Sequence, residues 1–306
     1  MTDSKDAALQ QGLLLALIAF CGFPIGDTLI KSLAGEWPAL AVAALRFWLG
    51  TLIFTVIVLW RLGPAGLLVR RPLVHFCRGC FLTLATATFF SALYLLPLAD
   101  AAAIQFINPL LTALAGAWLL GERLNGAGWS AILLGFVGVL VMLRPAGEAY
   151  GLAALLPLAS AFGVTGLIVL NRIAATQSSI WTAQLHMAFW AACLLSLLAL
   201  GTQSFGGAFA VTAWPGQRVL WTCVIVSITA GTCHYLLYAA TERAGASAIA
   251  PIVYVQLPVA TLLSVLVFAD PIDTLTLLGG GLILSSGLIL WLGNGGWRQL
   301  RRALGR

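Results

Sequence analysis

Residues 103–124 read AIQFINPLLTALAGAWLLGERL, and residues 252–272 read IVYVQLPVATLLSVLVFADPI. Each is an apolar run in which an amide, Asn108 or Gln256, lies within two residues of a proline, with an acid near its far end. An offset of 148 places Asn108 on Gln256 and Glu122 on Asp270, while Pro109 and Pro258 fall one residue out of step. Each run is followed by a second Gly-rich apolar stretch, GWSAILLGFVGVLVML at 128–143 and TLLGGGLILSSGLILWL at 276–292. The chain therefore holds a weak internal repeat of about half its 306 residues.

Working outward, the same apolar character continues along the whole chain. Hydrophobic residues make up 61% and charged residues 8%, and mean hydropathy is +1.00. Soluble domains run near 45–50% apolar and about 25% charged. Water is thus the wrong solvent and a bilayer the right one, which argues against a soluble enzyme and a disordered chain. A crossing helix needs roughly 20 mostly apolar residues. Ten such spans are predicted, at 12–33, 37–60, 74–96, 99–120, 127–143, 150–170, 181–200, 219–240, 245–268 and 275–293. Trp37, Trp60, Trp129, Trp181, Trp214, Trp221, Trp291 and Trp297 fall near their ends, as an interfacial aromatic belt requires. The first span is read as a retained helix rather than a leader, because no small-residue cleavage site precedes Lys31.

The net charge of +6 does not point to nucleic acid, because the cations sit between apolar runs and in the tail. With the N-terminus cytoplasmic, twelve Lys and Arg fall on the inside, three outside, and Arg46 within span two. That asymmetry favours ten spans with both termini cytoplasmic. Five spans per repeat is an odd number, so the second half is expected upside down. The expected domains are 1–146 and 147–306, the first with a short cytoplasmic N-terminus and the second with a basic cytoplasmic tail. Arg123 in the loop GERLN and the cation-free ADPID at its counterpart agree with inversion. Inverted repeats with a ligand site near the midplane characterise many carriers. The six cysteines lie mostly in apolar runs, and the C-x-x-C at Cys77 and Cys80 has no second ligand pair, so a packing role is expected.

At these residues the chain resembles the drug/metabolite transporter superfamily, in its EamA-like branch, over about residues 12–293. The strongest stretch is ALYLLPLADAAAIQFINPLLTALAGAWLLGERL (92–124) with GFVGVLVMLRP (135–145). DTLIKSLAGEWP, ALRF, HYLLYAATERAGASAIAPIVYVQLPVATLLSVLVFADP and LILSSGLIL support it. GDTLIKSL with APIVYVQL is similar to the subgroup of riboflavin and S-adenosylmethionine transporters. The resemblance implies an all-α membrane protein of ten helices in two inverted five-helix repeats, with a central cavity open alternately to either side. One departure stands out: the second repeat has ADP where the family has a GE pair.

Candidate site residues follow from polarity in an apolar setting. Asp27 is the only acid well inside a predicted span, and intramembrane charges are costly and often functional. Lys31 is one turn away on the same helix face, and Arg46 lies on the next span. The three form either a network that gates or contacts a substrate, or an ion pair bracing helices. Polar stripes at helical spacing run through Gln105, Asn108 and Thr112; through Ser227, Gly231, His234, Tyr238 and Thr241; and through Ser247, Pro251, Tyr254, Pro258 and Thr261. They imply a shared polar interior or interhelical hydrogen bonding. Gln256 is off its stripe and is included because it mirrors Asn108. His186 and His234 are candidate substrate or proton groups. His75 and Arg78 are expected at the interface. Trp48, Phe89, Phe90, Tyr94 and Trp190 are available as an aromatic wall for a planar ligand, with core packing the default for each. Pro24, Pro109, Pro251 and Pro258 are candidate hinges, because proline removes a backbone hydrogen bond, and Pro157 is placed near mid-span.

No G-x-x-x-x-G-K-[ST] is present, which excludes direct use of ATP through a P-loop. The expectation is a secondary transporter of a small polar or amphipathic metabolite. It has no catalytic residues, metal or cofactor, and sits in the plasma membrane, bacterial inner type. Its partners are that metabolite and the lipid bilayer, with no nucleic acid and with monomer or homodimer left open. Alternatives are a multidrug efflux carrier and, less favoured, a membrane-bound transferase, for which the scattered histidines provide no cluster.

Overall fold

In lipid every backbone N–H and C=O must be satisfied within the chain, and an apolar sequence of this kind does so by forming helices. The computed structural model describes residues 2–119, 126–143, 151–174, 179–203, 213–244 and 249–292, and among these it is all-helical. The helices are α1 (Thr2–Lys31), α2 (Ala39–Leu62), α3 (Pro72–Leu95), α4 (Leu98–Gln105), α5 (Asn108–Leu119), α6 (Gly126–Leu143), α7 (Leu155–Ala174), α8 (Ile180–Gln203), α9 (Gln217–Ala244), α10 (Gln256–Phe268) and α11 (Thr274–Trp291). Short 3-10 turns occupy Pro64–Leu67, Gly151–Ala154 and Ala250–Val255. Eight stretches are long and apolar enough to cross a membrane. Two apolar helices, Gly126–Val141 and Ile252–Phe268, are shorter. Together they occupy the ten predicted spans, with α4 and α5 sharing span four, and the last 3-10 turn and α10 sharing span nine. Glu122, Arg123, Arg144, Ser247, Trp297 and the basic tail lie outside the described residues.

The chain divides into two compact units. One comprises Leu29–Leu96 and Leu152–Ile228. In it α2 packs on α8, with the Trp48 indole N–H donating to Ser196 Oγ at 3.0 Å, while Thr182 donates to the Gly66 carbonyl at 2.8 Å. Helix α3 packs on α7, where Ser160 donates to the Ala85 carbonyl at 2.9 Å and Arg78 to Asn171 at 2.7 Å. Rising numbers on one helix meet falling numbers on the other, so both pairs are antiparallel. Lipid tails are as apolar as leucine, so helices here associate through close backbone approach at small residues. Gly163 meets this need: a Cβ there would lie 2.6 Å from the Ala85 backbone nitrogen.

The other unit comprises Met1–Thr28, Pro97–Gly151 and Thr229–Arg306. Helices α6 and α11 meet along glycines, Gly135 against Ser286 and Gly138 against Gly279. Gly12 of α1 faces Ala244 and Gly22 faces Cys233 of α9. Ala99 at the start of α4 donates its N–H to Ser264 Oγ of α10 at 3.3 Å. These pairs too are antiparallel. Ser264 also donates to Asp270 at 2.7 Å, just past the left-handed Ala269 (φ 52) that ends α10, and Thr276 donates to Asp100 at 2.6 Å. Asp100, which lies at a span end by sequence, is 5% exposed. In both units leucines such as Leu52, Leu133 and Leu266 stay exposed, as lipid-facing positions do.

Candidate functional site

Spans four and nine are not continuous helices, and the prolines explain why. Pro109 has no N–H for the carbonyl of Gln105, and Pro258 has none for the carbonyl of Tyr254. In span four the α-helix stops at Gln105, and Phe106 N–H is shared between the carbonyls of Ala102 and Ala103. It restarts at Asn108. In span nine a 3-10 turn runs to Val255 and the α-helix starts at Gln256. The offset of 148 that pairs Asn108 with Gln256 in sequence is thus also the offset between the two helix starts. Pro109 and Pro258 stand in the first turns of α5 and α10, and Pro251 at the start of the 3-10 turn. They mark interruptions of their spans, and Pro24 alone of the four hinge candidates sits inside an unbroken helix, where Thr28 donates to its carbonyl at 2.8 Å. Pro157 is in the first turn of α7 rather than at mid-span.

The two spans are antiparallel and meet at their interruptions, where the Phe106 and Tyr254 rings are 5.9 Å apart, tilted at 38°. Gly287 of α11 makes room for the tyrosine, because a Cβ there would overlap its ring. Gln105 and Asn108 are half-buried beside this pair in sequence. One turn beyond Asn108, the Thr112 hydroxyl is buried with no hydrogen-bond partner among the described residues. Buried polar atoms are nearly always paired, so this hydroxyl is available to a further partner. Gln256 turns back on its own span, donating to the Val253 carbonyl at 3.3 Å, which satisfies the junction of 3-10 turn and α-helix. The helical spacing used for the stripes assumes unbroken helices. That assumption fails between Gln105 and Asn108 and between Tyr254 and Pro258.

The remaining candidates lie elsewhere. Asp27 and Lys31 are half-buried on α1. Arg46 is half-buried on α2, its guanidinium 4.7 Å from the Phe47 ring and 5.7 Å from Phe90. On α9, His234 is edge-on to Phe23 at 5.1 Å, and His234, Tyr238 and Thr241 form an exposed face. His186 on α8 is held by the backbone: its Nε2 donates to the Leu67 carbonyl at 2.8 Å, and its ring is 5.8 Å from His75. Of the aromatic candidates, Trp48 and Trp190 join one cluster through Phe189, at 6.0 and 5.5 Å.

Sequence reasoning placed His75 and Arg78 at the interface. The structure buries both, at 1% and 5% exposure. Arg78 donates from Nε to Asn171 Oδ1 at 2.7 Å and from Nη1 to His75 Nδ1 at 3.0 Å and the Ala183 carbonyl at 3.2 Å. Its Nη2 points at the Met187 sulfur at 3.6 Å. A buried guanidinium joining α3, α7 and α8 leaves no periodic trace, and only the long carboxylate-free run from 37 to 99 hints that it would lack an acid.

Residues 10–144 match the EamA-like transporter family. The S-adenosylmethionine uptake transporter of Rickettsia prowazekii is 23% identical over 292 residues, covering 95% of each chain. The riboflavin transporter of Rhizobium johnstonii is 28% identical over 240 residues, covering 78% of this chain and 76% of that one. A solved crystal structure superposes with a TM-score of 0.63 at 24% identity, covering 94% of this chain and 98% of its own, and is alike in fold.

Proposed function

We propose, from the premise that this chain is a membrane transporter with an EamA-like domain over residues 10–144, that it moves a small polar or amphipathic metabolite by alternating access, without ATP. The observation that carries this is the meeting of two proline-interrupted spans at the Phe106–Tyr254 contact. Interrupted spans at corresponding positions of two halves are the arrangement carriers use to bind substrate. Here the guest is held between the Phe106–Tyr254 pair and the amides of Gln105 and Asn108, with the Thr112 hydroxyl as a further contact.

Two features support inverted repeats, with 1–146 and 147–306 as the halves. Spans two and seven, four and nine, and five and ten each pack together and run antiparallel, as helices related by an odd five-span repeat must. Spans three and six, and one and eight, are exchanged by the same relation. The exposed polar face of α9, with His234 and Tyr238, is costly against lipid and suits a wet path through the protein. On this reading both termini are cytoplasmic, the protein resides in the bacterial inner membrane, and Asp27, Lys31 and Arg46 act in gating.

The relatives' substrates both join a planar heterocycle to a polar chain, which fits an aromatic pair flanked by amides. The test is uptake of labelled S-adenosylmethionine and riboflavin into proteoliposomes lacking ATP. Saturable uptake of either, reduced at least tenfold by Asn108→Ala with insertion intact, supports the proposal. Uptake that needs ATP, or that Asn108→Ala leaves unchanged, overturns it.

A further inference from the structure

The unit formed by Leu29–Leu96 and Leu152–Ile228 contains eight Lys and Arg but a single carboxylate, Glu36, which pairs with Arg218. Arg78 therefore has no acid of its own unit left to meet. Its position is about 9 Å into α3 from Pro72, six residues at 1.5 Å each. A guanidinium has five N–H donors and no acceptor. Its partners are an amide oxygen, an imidazole nitrogen, a backbone carbonyl and a thioether, all neutral and the last a weak acceptor. A buried charge without an opposite charge beside it is costly to hold.

The donor-only character of Arg78 fixes its neighbours. His75 accepts at Nδ1, so its proton is on Nε2. Asn171 accepts at Oδ1, so its NH2 group remains to donate. His75 Nε2–H and the Asn171 NH2 have no partner among the described residues, and one Arg78 Nη2 N–H has none either. What the cluster has left to offer is three donors around one positive charge. The charged and titratable neighbours are Arg78 on α3 itself and His186 from α8. His186 spends its Nε2–H on Leu67 and so holds the turn Pro64–Leu67 beside the cluster. Helix α7 contributes the neutral Asn171. Exposed Arg61 in the last turn of α2, with exposed Arg70 and Arg71 on the connection that follows, raises the local concentration of anions.

We infer that Arg78, His75 and Asn171 form a receptor for the anionic group, a carboxylate or phosphate ester, of a small molecule. The anion accepts from the donors that remain and gives the guanidinium the opposite charge that its neutral partners lack. This site belongs to the other unit and does not rest on the role given to the interrupted spans.

The chain has only three histidines, so a ring-labelled sample in detergent gives three ring signals by NMR, with His234 as an internal control. Methyl phosphate and acetate are titrated separately at constant ionic strength against chloride. The expected result is a saturable shift of the His75 signal with one or both, no movement of His234, and no effect of chloride. Which anion binds identifies the class. In Arg78→Gln the affinity falls roughly tenfold or more, about 1.4 kcal/mol or above. Should that variant not fold, the wild-type titration decides alone. A His75 signal that ignores both anions, or that moves together with His234 or with chloride, overturns the inference.

Discussion

Replacing Gly287 with alanine tests the packing that holds the two interruptions together. A Cβ built at Gly287 falls on the ring and hydroxyl of Tyr254, so the ring must leave its place 5.9 Å from Phe106. Overpacking a filled site costs about 1–3 kcal/mol, and the move from glycine to alanine in a helix returns up to about 1 kcal/mol. The net loss is therefore about 0–2 kcal/mol, too near zero to interpret alone. A double-mutant cycle removes the ambiguity. In a Tyr254→Ala background nothing occupies the space, so Gly287→Ala costs nothing and recovers only the helical gain. The coupling between the two sites is predicted at about 1–3 kcal/mol, measured by unfolding in detergent. Gly281→Ala, on the same helix with nothing within 4 Å, is the control and is neutral or slightly stabilising. A coupling below about 0.5 kcal/mol would refute the placement of Tyr254 against α11 and, with it, the architecture of the site.

Three other perturbations follow from the same structure. Gly163→Ala forces α7 off the backbone of Ala85 and weakens the Ser160 hydrogen bond one turn away. It should destabilise by about 1–3 kcal/mol, read as a lower unfolding midpoint, whereas Gly201→Ala, in open space, should not. Asp27→Asn and Arg46→Ala should each lower flux in proteoliposomes while the protein inserts and elutes normally from gel filtration; unchanged flux would mark them as structural. Ser264→Ala removes the hydroxyl shared by Ala99 and Asp270 and should cost about 1–3 kcal/mol, seen in the same unfolding assay, since it takes the acceptor from the buried Ala99 N–H and one hydrogen bond from Asp270.

How much of this was legible in the sequence depends on what each residue answers to. The spans were, because a run of about 20 apolar residues has one stable form in lipid, and among the described residues their ends fall within a few residues of the helices, except that α1 begins at Thr2, ten residues before its predicted span. The likeness of spans four and nine was legible too: the offset that pairs Asn108 with Gln256 is the offset of the helix restarts. The prolines announced the interruptions but read as hinges, because sequence alone does not say whether a helix bends at a proline or starts again beside one. Arg78 and His75 were misplaced for a different reason. Near a basic loop they look like snorkelling interfacial residues, and only the packing of α7 and α8 over them makes them interior. Gln256 mirrors Asn108 in sequence, yet it is spent on its own backbone, a local choice that symmetry does not foresee.

The central claim is that the interrupted spans form a binding site open in turn to each side of the membrane. Its most direct test is a single cysteine at position 108, in a background with the six native cysteines replaced, probed in sealed, uniformly oriented vesicles with a membrane-impermeant thiol reagent applied from either side. The account predicts labelling from both sides, slowed by the transported metabolite. A cysteine that reacts from neither side, or from one side only under every condition, would contradict it.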